Sequence, residues 1–354
     1  MLKSRTSNRS IAAIDLFCGA GGLTHGLLKA GIAVAAGIDV DPACGFPFEA
    51  NNHSKFVLGD VAEVTGDELL ASYPKNAARV LVGCAPCQPF SRYSRRQEPK
   101  NDRKWGLLVH FSRLVKEVRP VVISMENVPE LASHQVFHDF VNLLQDLGYH
   151  VGYSNAFCPD YGIPQHRTRL ILFASLLGAI TPPPRSHGPD EYRTVKETIA
   201  DLPAISRGKV HPQDPLHRAC NLSDLNLKRI RASRPGGCWR EWPDHLVAEC
   251  HRAESGKTYP SVYGRMEWDQ PSPTITTQFF GFGNGRFGHP EQDRAISLRE
   301  GSLLQSFPRT YRFCESSSAI SFSVLGRLIG NAVPVRLGEI IGETILKHLE
   351  EHDV

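Results

Sequence analysis

The sequence predicts an α/β protein with a doubly wound, mostly parallel sheet and a second, smaller irregular domain. In the first half, short apolar runs alternate with amphipathic helical stretches, which is the pattern of parallel strands joined by crossover helices. Residues 182–184 (Pro-Pro-Pro) interrupt this pattern, and the next hundred or so residues are rich in Gly, Pro, Trp and Arg with little periodicity. We therefore expect one domain of residues 1–185, completed by residues 320–354, and a second of residues 186–300.

The individual elements follow from the periodicity of apolar residues. Candidate strands are residues 11–14, 33–38, 55–58, 79–82, 121–125 and 169–173. In residues 107–118 the apolar side chains fall on one helical face, and Pro120 ends that helix. Residues 136–147 repeat the pattern, with Gly148 expected at the cap, and helical periodicity returns near Leu298 and in residues 335–349.

Composition narrows the class of protein. The chain has 354 residues, of which 41% are hydrophobic and 22% charged, as in ordinary soluble domains. It contains no apolar run of about 20 residues, and its polar N-terminus lacks the apolar core of a signal peptide. Nine scattered cysteines argue against a disulfide framework. We expect a cytoplasmic protein with reduced thiols and no membrane partner, and a net charge of +3 by itself indicates no nucleic-acid partner.

Reactive and polar side chains recur where the candidate strands end. Asp15, Asp39, Asp60, Cys87 and Glu126 are each expected just past a strand. Ligands of open parallel sheets bind outside the carboxyl ends of the strands. The five side chains are therefore expected to converge on one edge of the sheet and to form an active site there.

A glycine-rich turn follows the first strand. Residues 15–22 read Asp-Leu-Phe-Cys-Gly-Ala-Gly-Gly, and such glycines allow a sharp turn close to a ligand. The spacing is not the GxGxxG of dinucleotide-binding proteins. Asp39, at the end of the next strand, can accept hydrogen bonds from ribose hydroxyls. A plain strand–helix turn is the alternative, but Asp39 and Asp60 in register favour a nucleoside cofactor whose identity the glycines leave open.

The nucleophile is expected in residues 83–91, Gly-Cys-Ala-Pro-Cys-Gln-Pro-Phe-Ser. Two prolines hold Cys87 in a stiff turn, which suits a thiol that attacks a substrate. Cys84-x-x-Cys87 is also compatible with a redox pair or half of a zinc site, although no second CxxC completes such a site. Glu126 follows a strongly apolar strand, which indicates a partly desolvated carboxylate.

Taken together, these segments resemble the ordered motifs of bacterial C5-cytosine DNA methyltransferases of the restriction–modification type. The resemblance rests on residues 15–22, Asp39, Asp60, 86–88 (Pro-Cys-Gln), 126–128 (Glu-Asn-Val), 165–169 (Gln-His-Arg-Thr-Arg), 299–300 (Arg-Glu) with 304–308 (Leu-Gln-Ser-Phe-Pro), and 330–334 (Gly-Asn-Ala-Val-Pro). The chain departs from the family at Cys84-Ala85, where Gly-Pro is usual, and at residues 301–303 (Gly-Ser-Leu), where Ala-Ala-Arg is usual. Neither departure falls on a catalytic position.

The resemblance implies a Rossmann-like methyltransferase fold that uses S-adenosyl-L-methionine, releases S-adenosyl-L-homocysteine and needs no metal. Cys87 would attack C6 of a flipped-out cytosine, Glu126 would hold N3 and the exocyclic amine, and Arg167 and Arg169 would position the base. The implied cofactor contacts are Phe17, Gly19, Ala20, Gly22, Asp39, Asp60, Val61, Pro86, Leu107 and Asn331.

Three polar segments are candidates for contact with DNA. Residues 92–104 carry six Lys or Arg and suit a loop that closes over DNA, with a solvated surface loop as the alternative. Residues 228–240 are basic without an acid, and residues 274–286 combine glycines with groups that reach base edges. The candidate DNA contacts are Ser91, Arg95, Arg96, Arg231, Arg234, Gln278 and Arg286. The resemblance implies that residues 186–300 recognise the target sequence.

The expected partners are double-stranded DNA and, functionally, a cognate restriction endonuclease, with the enzyme itself a monomer. A related methyltransferase acting on tRNA is the nearest alternative, although the long segment before Arg299 favours DNA. A nicotinamide or flavin oxidoreductase would need GxGxxG, which is absent. A non-catalytic DNA-binding module is the third alternative, and the intact Cys87, Glu126, Arg167 and Arg169 argue against it.

Overall fold

A computed structural model describes residues 10–86, 106–315 and 320–354. The chain divides into two compact units. Unit 1 comprises Met1–Phe157, Thr168–Arg185 and Val333–Val354, and unit 2 comprises Cys158–Arg167 and Ser186–Ala332. Unit 2 therefore includes residues 158–167 and 301–332 in addition to residues 186–300.

Unit 1 is built on a seven-stranded sheet, which confirms the predicted fold class. Numbered in chain order, its strands are β1 (Ile11–Leu16), β2 (Ala33–Asp39), β3 (Lys55–Leu58), β4 (Ala78–Gly83), β5 (Val122–Asn127), β6 (His150–Phe157) and β8 (Thr168–Ser175). Their order is β3-β2-β1-β4-β5-β8-β6. Strands β3, β2, β1, β4 and β5 are all parallel. The strand order reverses between β1 and β4, and ligands of such sheets bind at this point.

The far edge of the sheet differs from the sequence prediction. Strand β8 runs antiparallel to β5, and β6 runs antiparallel to β8. The direction of β8 was not predicted, because periodicity carries no information on strand direction. Strand β6 was not predicted at all, because it (His-Val-Gly-Tyr-Ser-Asn-Ala-Phe) is a largely exposed edge strand without an apolar run. The predicted strand ends were also too early, because β1 continues through Leu16 and β5 through Asn127. Asp15 and Glu126 therefore lie within their strands rather than after them.

Helices cover the sheet of unit 1. They are α1 (Gly22–Ala30), α2 (Gly45–Asn52), α3 (Gly66–Ser72), α4 (Gly106–Val118), α5 (Gln135–Asp146) and α11 (Val335–Glu350). The apolar faces of α3, α4 and α5 share one buried core with alternate residues of the central strands. Helices α1 and α11 touch at Gly26, where a Cβ would lie 2.4 Å from the carbonyl oxygen of Val335. Gly148 takes a positive φ of 85° just after α5, as expected at a helix end.

Unit 2 has short elements joined by irregular segments, as the sequence predicted. Its strands are β7 (Gln165–His166), β9 (Val210–His211), β10 (Asp214–Arg218) and β11 (Ser272–Pro273), and its helices are α6 (Val195–Ile199), α7 (Asp224–Ala232), α8 (Glu249–Arg252), α9 (Leu298–Leu304) and α10 (Phe322–Asn331). Trp239, Trp242 and Phe282 belong to one buried cluster. Unit 2 also contains a buried ion pair of Arg294 and Glu300, which are both 1% exposed. Each guanidinium Nη atom of Arg294 lies 2.7 Å from a carboxylate oxygen of Glu300.

Candidate active site

The glycine-rich turn between β1 and α1 lies at the edge of the sheet where the strand order reverses. Phe17, Gly19 and Gly21 all have positive φ angles, of 60°, 53° and 85°. A positive φ is strained for phenylalanine but not for glycine. Apart from Gly19 and its chain neighbours, no atom of the described residues lies within 4 Å of the position that a Cβ of Gly19 would take, so the turn borders open space. Ala20 and Gly22 are buried beneath it.

Asp39 joins this turn to the end of β2. Its Oδ2 accepts a hydrogen bond from the backbone N–H of Gly19 at 2.9 Å, and its Oδ1 accepts one from Asp41 at 2.9 Å. Burial raises the pKa of Asp39, although these backbone donors counter part of the effect. The carboxylate therefore holds the glycine turn in place and keeps lone pairs for a hydroxyl-bearing ligand.

Asp15 is a buried acid beside the glycine turn, with 1% of its surface exposed. Its Oδ2 accepts a hydrogen bond from the Thr24 hydroxyl at 2.7 Å, and its Oδ1 has no hydrogen-bond partner in the described part of the chain. Burial raises the pKa of Asp15 from 3.8 to about 7, with a smaller contribution from the charge of Asp39. A buried acceptor beside an open glycine turn fits a site that binds a polar ligand.

The segment after β3 forms a tight turn that carries Asp60 and Val61. Asp60 is exposed and its Oδ1 accepts the backbone N–H of Ala62 at 2.9 Å, whereas Val61 is buried. Arg113, from α4, donates through Nη2 to the carbonyl oxygens of Val61 at 3.0 Å and Val64 at 2.7 Å. Arg113 therefore positions this turn. Sequence reasoning missed it, because helical periodicity does not reveal which loop a side chain reaches.

Exposed apolar side chains lie beside Asp39. Val40 is 67% exposed and Leu58, which pairs with Asp39 in the parallel register, is 59% exposed. Leu107, at the start of α4, is half-buried. An aliphatic residue directly after an acid at the end of a strand is a sequence signal that could have identified Val40. Apolar contacts next to a carboxylate suit a nucleoside, which has a flat ring and hydroxyl groups.

Glu126 lies in β5 and is 2% exposed, which confirms the predicted desolvation. The Nε of Arg169 lies 2.9 Å from its Oε1, and the thiol of Cys84 donates to its Oε2 at 2.7 Å. Arg169 stands on β8, where Leu170 pairs with Asn127 in the antiparallel register. The structure thus brings Glu126 and Arg169 together, and adds Cys84, whose contact with Glu126 sequence reasoning missed.

The segment leading to Cys87 is held at the ends of β4 and β5. The side-chain amide of Asn127 donates to the carbonyl oxygen of Ala85 at 2.9 Å. The backbone N–H of Cys84 donates to the carbonyl oxygen of Leu16 at 3.3 Å. Pro86 is exposed and is the last described residue before the nucleophile position. The predicted site residues Cys87, Ser91, Arg95 and Arg96 lie outside the described residues.

Two predicted site residues belong to unit 2. Arg167 is 5% exposed, and its Nη1 donates to the carbonyl oxygens of Ile275 at 3.2 Å and Gly330 at 3.4 Å. Asn331 is exposed at the end of α10. Within unit 2, therefore, Arg167 ties β7 to the segment just before Asn331. The predicted action of Arg167 on the base and of Asn331 on the cofactor stays a prediction.

The basic segment of unit 2 is more nearly neutralised than its sequence indicated. Arg231 pairs with Asp293 at 3.0 Å, and Arg234 pairs with Glu241 at 2.6 Å. Both acids lie outside residues 228–240, so a search within that segment did not find them. Two further candidate contacts lie in residues 274–286: Gln278 is exposed, and Arg286 donates to the carbonyl oxygen of Gly237 at 2.9 Å.

Comparison with known proteins identifies the family. A profile of the C-5 cytosine-specific DNA methylases matches residues 11–347. The chain belongs to this family. It is 54% identical to the Type II methylase M.HgiDII of Herpetosiphon aurantiacus, over 96% of each chain, and 31% identical to the Type II methyltransferase M1.HphI of Haemophilus parahaemolyticus, over 96% of this chain and 87% of that one. It is therefore a DNA (cytosine-5) methyltransferase of the restriction–modification type.

Solved structures agree on the fold. A prophage-encoded E. coli protein described as a DNA modification methyltransferase superposes with a TM-score of 0.74 at 22% identity, covering 96% of this chain and all of that one. A DNMT2 of Spodoptera frugiperda superposes with a TM-score of 0.66 at 15% identity, covering 95% of this chain and 100% of that one. Within the described ranges, no helix is long and apolar enough to cross a membrane, and no group of three His, Cys, Asp or Glu side chains is arranged to hold a metal ion.

Proposed function

We propose that this methyltransferase transfers a methyl group from S-adenosyl-L-methionine to C5 of a cytosine flipped out of double-stranded DNA, through a covalent bond between Cys87 and C6. The observation that carries the proposal is the anchored strand-end cluster. Glu126 is held between Arg169 and Cys84, and Asn127 holds Ala85, two residues before Cys87.

The residues of unit 1 fit the cofactor. The glycine turn borders open space at Gly19, Asp39 offers carboxylate lone pairs beside it, and Val40 presents an apolar surface. Asp39 would bind the ribose hydroxyls, and Asp60 and Val61 would contact the base. When bound, S-adenosyl-L-methionine supplies a methyl group on an electrophilic sulfonium. The further contacts that we assign to it are Phe17, Ala20, Gly22, Pro86, Leu107 and Asn331.

The chemistry of the chain's own residues follows from their types. The thiolate of Cys87 adds to C6 of cytosine, which makes C5 nucleophilic. Glu126 holds N3 and the exocyclic amine and stabilises the charge that develops on the ring, while Arg169 orients the carboxyl and Arg167 positions the base. C5 would then take the methyl group as its bond to the sulfonium sulfur breaks, and loss of the C5 proton to a base would allow elimination of the Cys87 thiolate. Because the attack on C6 comes perpendicular to the ring, the base must leave the stack, at a cost of a few kcal/mol.

Residues 186–300 are the proposed target-recognition domain, with Arg231, Arg234, Gln278 and Arg286 as DNA contacts. Ser91, Arg95 and Arg96, in the segment that follows Cys87, are the proposed DNA contacts outside this domain. We further propose that the enzyme acts as a monomer in the cytoplasm and protects DNA from a cognate restriction endonuclease. The Type II names of its bacterial relatives support the endonuclease as a functional partner.

The test uses DNA that contains 5-fluorocytosine, followed by bisulfite sequencing of ordinary DNA exposed to the enzyme. Fluorine cannot leave as the C5 proton does, so the wild-type protein should be trapped covalently on the fluorinated DNA in the presence of cofactor. Cys87→Ser should nearly abolish turnover and trapping while it leaves cofactor binding intact. Methylation of tRNA alone, or a wild-type enzyme that methylates DNA without forming an adduct, would contradict the proposal.

A further inference from the structure

Cys84 contacts Glu126, although it stands where the chain departs from the family's usual Gly-Pro. Its thiol donates to Oε2 of Glu126 at 2.7 Å. Its main chain is fixed by Leu16, whose carbonyl oxygen accepts the Cys84 N–H at 3.3 Å and lies 2.7 Å from the position that a Cβ of Gly83 would take. The contact therefore joins a constrained backbone to a buried carboxyl group.

The two oxygens of Glu126 have different neighbours. Arg169 stands 2.9 Å from Oε1, and Cys84 donates to Oε2. The terminal torsion of a glutamate is broad, so a carboxyl group held at one oxygen only can rotate. A thiol is a weak donor that adds no charge while it stays protonated. Cys84 can therefore fix the plane of the carboxyl group without forming a second ion pair.

We infer that Cys84 is a positioning residue, which orients the carboxyl group of Glu126 so that its remaining lone pairs face the pyrimidine ring during addition of the nucleophile. This inference rests on the proposed function of Glu126. A second contact supports it, because the buried Asn127 amide holds Ala85 at 2.9 Å and so joins the same two segments one residue further along. The thiol acts through Glu126 and does not itself need to touch the substrate.

The experiment compares Cys84→Ala and Cys84→Ser with the wild-type enzyme. Removal of one weak hydrogen bond in the transition state should lower kcat roughly five- to tenfold in Cys84→Ala. The KM for DNA and the Kd for the cofactor should each change by less than about twofold, because neither measures the orientation of Glu126 during the chemical step. Cys84→Ser keeps a donor on a slightly shorter side chain and should recover at least half of the wild-type kcat.

A double-mutant cycle distinguishes positioning from packing. In a Glu126→Ala background, Cys84→Ala should cause no further loss in the rate of covalent trapping on 5-fluorocytosine DNA, because both oxygens through which Cys84 could act are absent. Equal losses in both backgrounds, a wild-type kcat in Cys84→Ala, or a serine variant as impaired as alanine would each overturn the inference. If the wild-type enzyme forms no adduct, the proposed function itself fails, and this result is distinct from the other three.

Discussion

Asp15 should make the stability of the enzyme depend on pH in a direction opposite to that of an ordinary salt-bridged carboxylate. Its pKa is 3.8 in an unperturbed state and about 7 in the folded chain, because it is buried beside the glycine turn. Between these two values the folded chain keeps the proton while the unfolded chain has released it. Stability therefore falls as pH rises through this window and becomes level above pH 7.

The magnitude follows from the two pKa values of Asp15. A shift of this size corresponds to about 4 kcal/mol when fully developed. About 2 kcal/mol of this develops between pH 5.5 and 8. Asp15→Asn cannot ionise and keeps an oxygen that can accept the hydrogen bond from Thr24. Relative to wild type, its free energy of unfolding should thus increase by about 2 kcal/mol from pH 5.5 to pH 8.

Urea unfolding of both proteins at the two pH values, without cofactor, measures this difference. Asp146→Asn, which makes the same change at an exposed position near the end of α5, is the matched control and should show no such pH dependence. Titrating groups that do not interact with Asp15 are common to wild type and variant and cancel in the comparison. A difference between Asp15→Asn and wild type that is constant with pH, or that shrinks as pH rises, would refute the reasoning.

Three further predictions concern other contacts. Arg113→Met removes three hydrogen bonds to the turn of Asp60, and equilibrium dialysis should show a Kd for the cofactor raised by up to about 30-fold, with an unchanged Kd excluding this role. Glu300→Gln leaves the buried Arg294 uncompensated and should lower the free energy of unfolding by about 3–5 kcal/mol in urea titrations; a loss below about 1 kcal/mol would contradict it. Glu241→Gln removes the carboxylate that pairs with Arg234, so that Arg234 can contact a DNA phosphate. The slope of log affinity for DNA against log salt should become steeper by about 0.9, and an unchanged slope would show that Arg234 does not contact DNA.

The buried ion pair of Arg294 and Glu300 in unit 2 is a contact that the sequence motif did not reveal. Burial alone would raise the pKa of Glu300, but the hydrogen bonds and the charge of Arg294 outweigh that effect and hold the pKa at about 2. The resemblance identified residues 299–300 as a motif without assigning them a role. Their geometry shows that Glu300 anchors a segment of unit 2 rather than a reacting group.

For the basic residues 228–240, the sequence led to an overestimate of free positive charge. Residues 228–240 contain no acid, so the sequence suggested an uncompensated positive patch. The carboxylates of Asp293 and Glu241 reach Arg231 and Arg234 from outside that segment. Local charge counting overestimates free charge wherever the chain folds back on itself.

By itself, the sequence determined the α/β class, most of the central strands and the placement of Asp39 and Glu126 at one edge of the sheet. These features depend on the local periodicity of apolar residues and on the rule that parallel strands end together. Only the tertiary structure decided the antiparallel direction of β8, the reach of Arg113 to the turn of Asp60, and the contact of Cys84 with Glu126. The physical reason is that such contacts join residues far apart in sequence, 42 apart for Cys84 and Glu126, and no local pattern encodes which distant groups will meet.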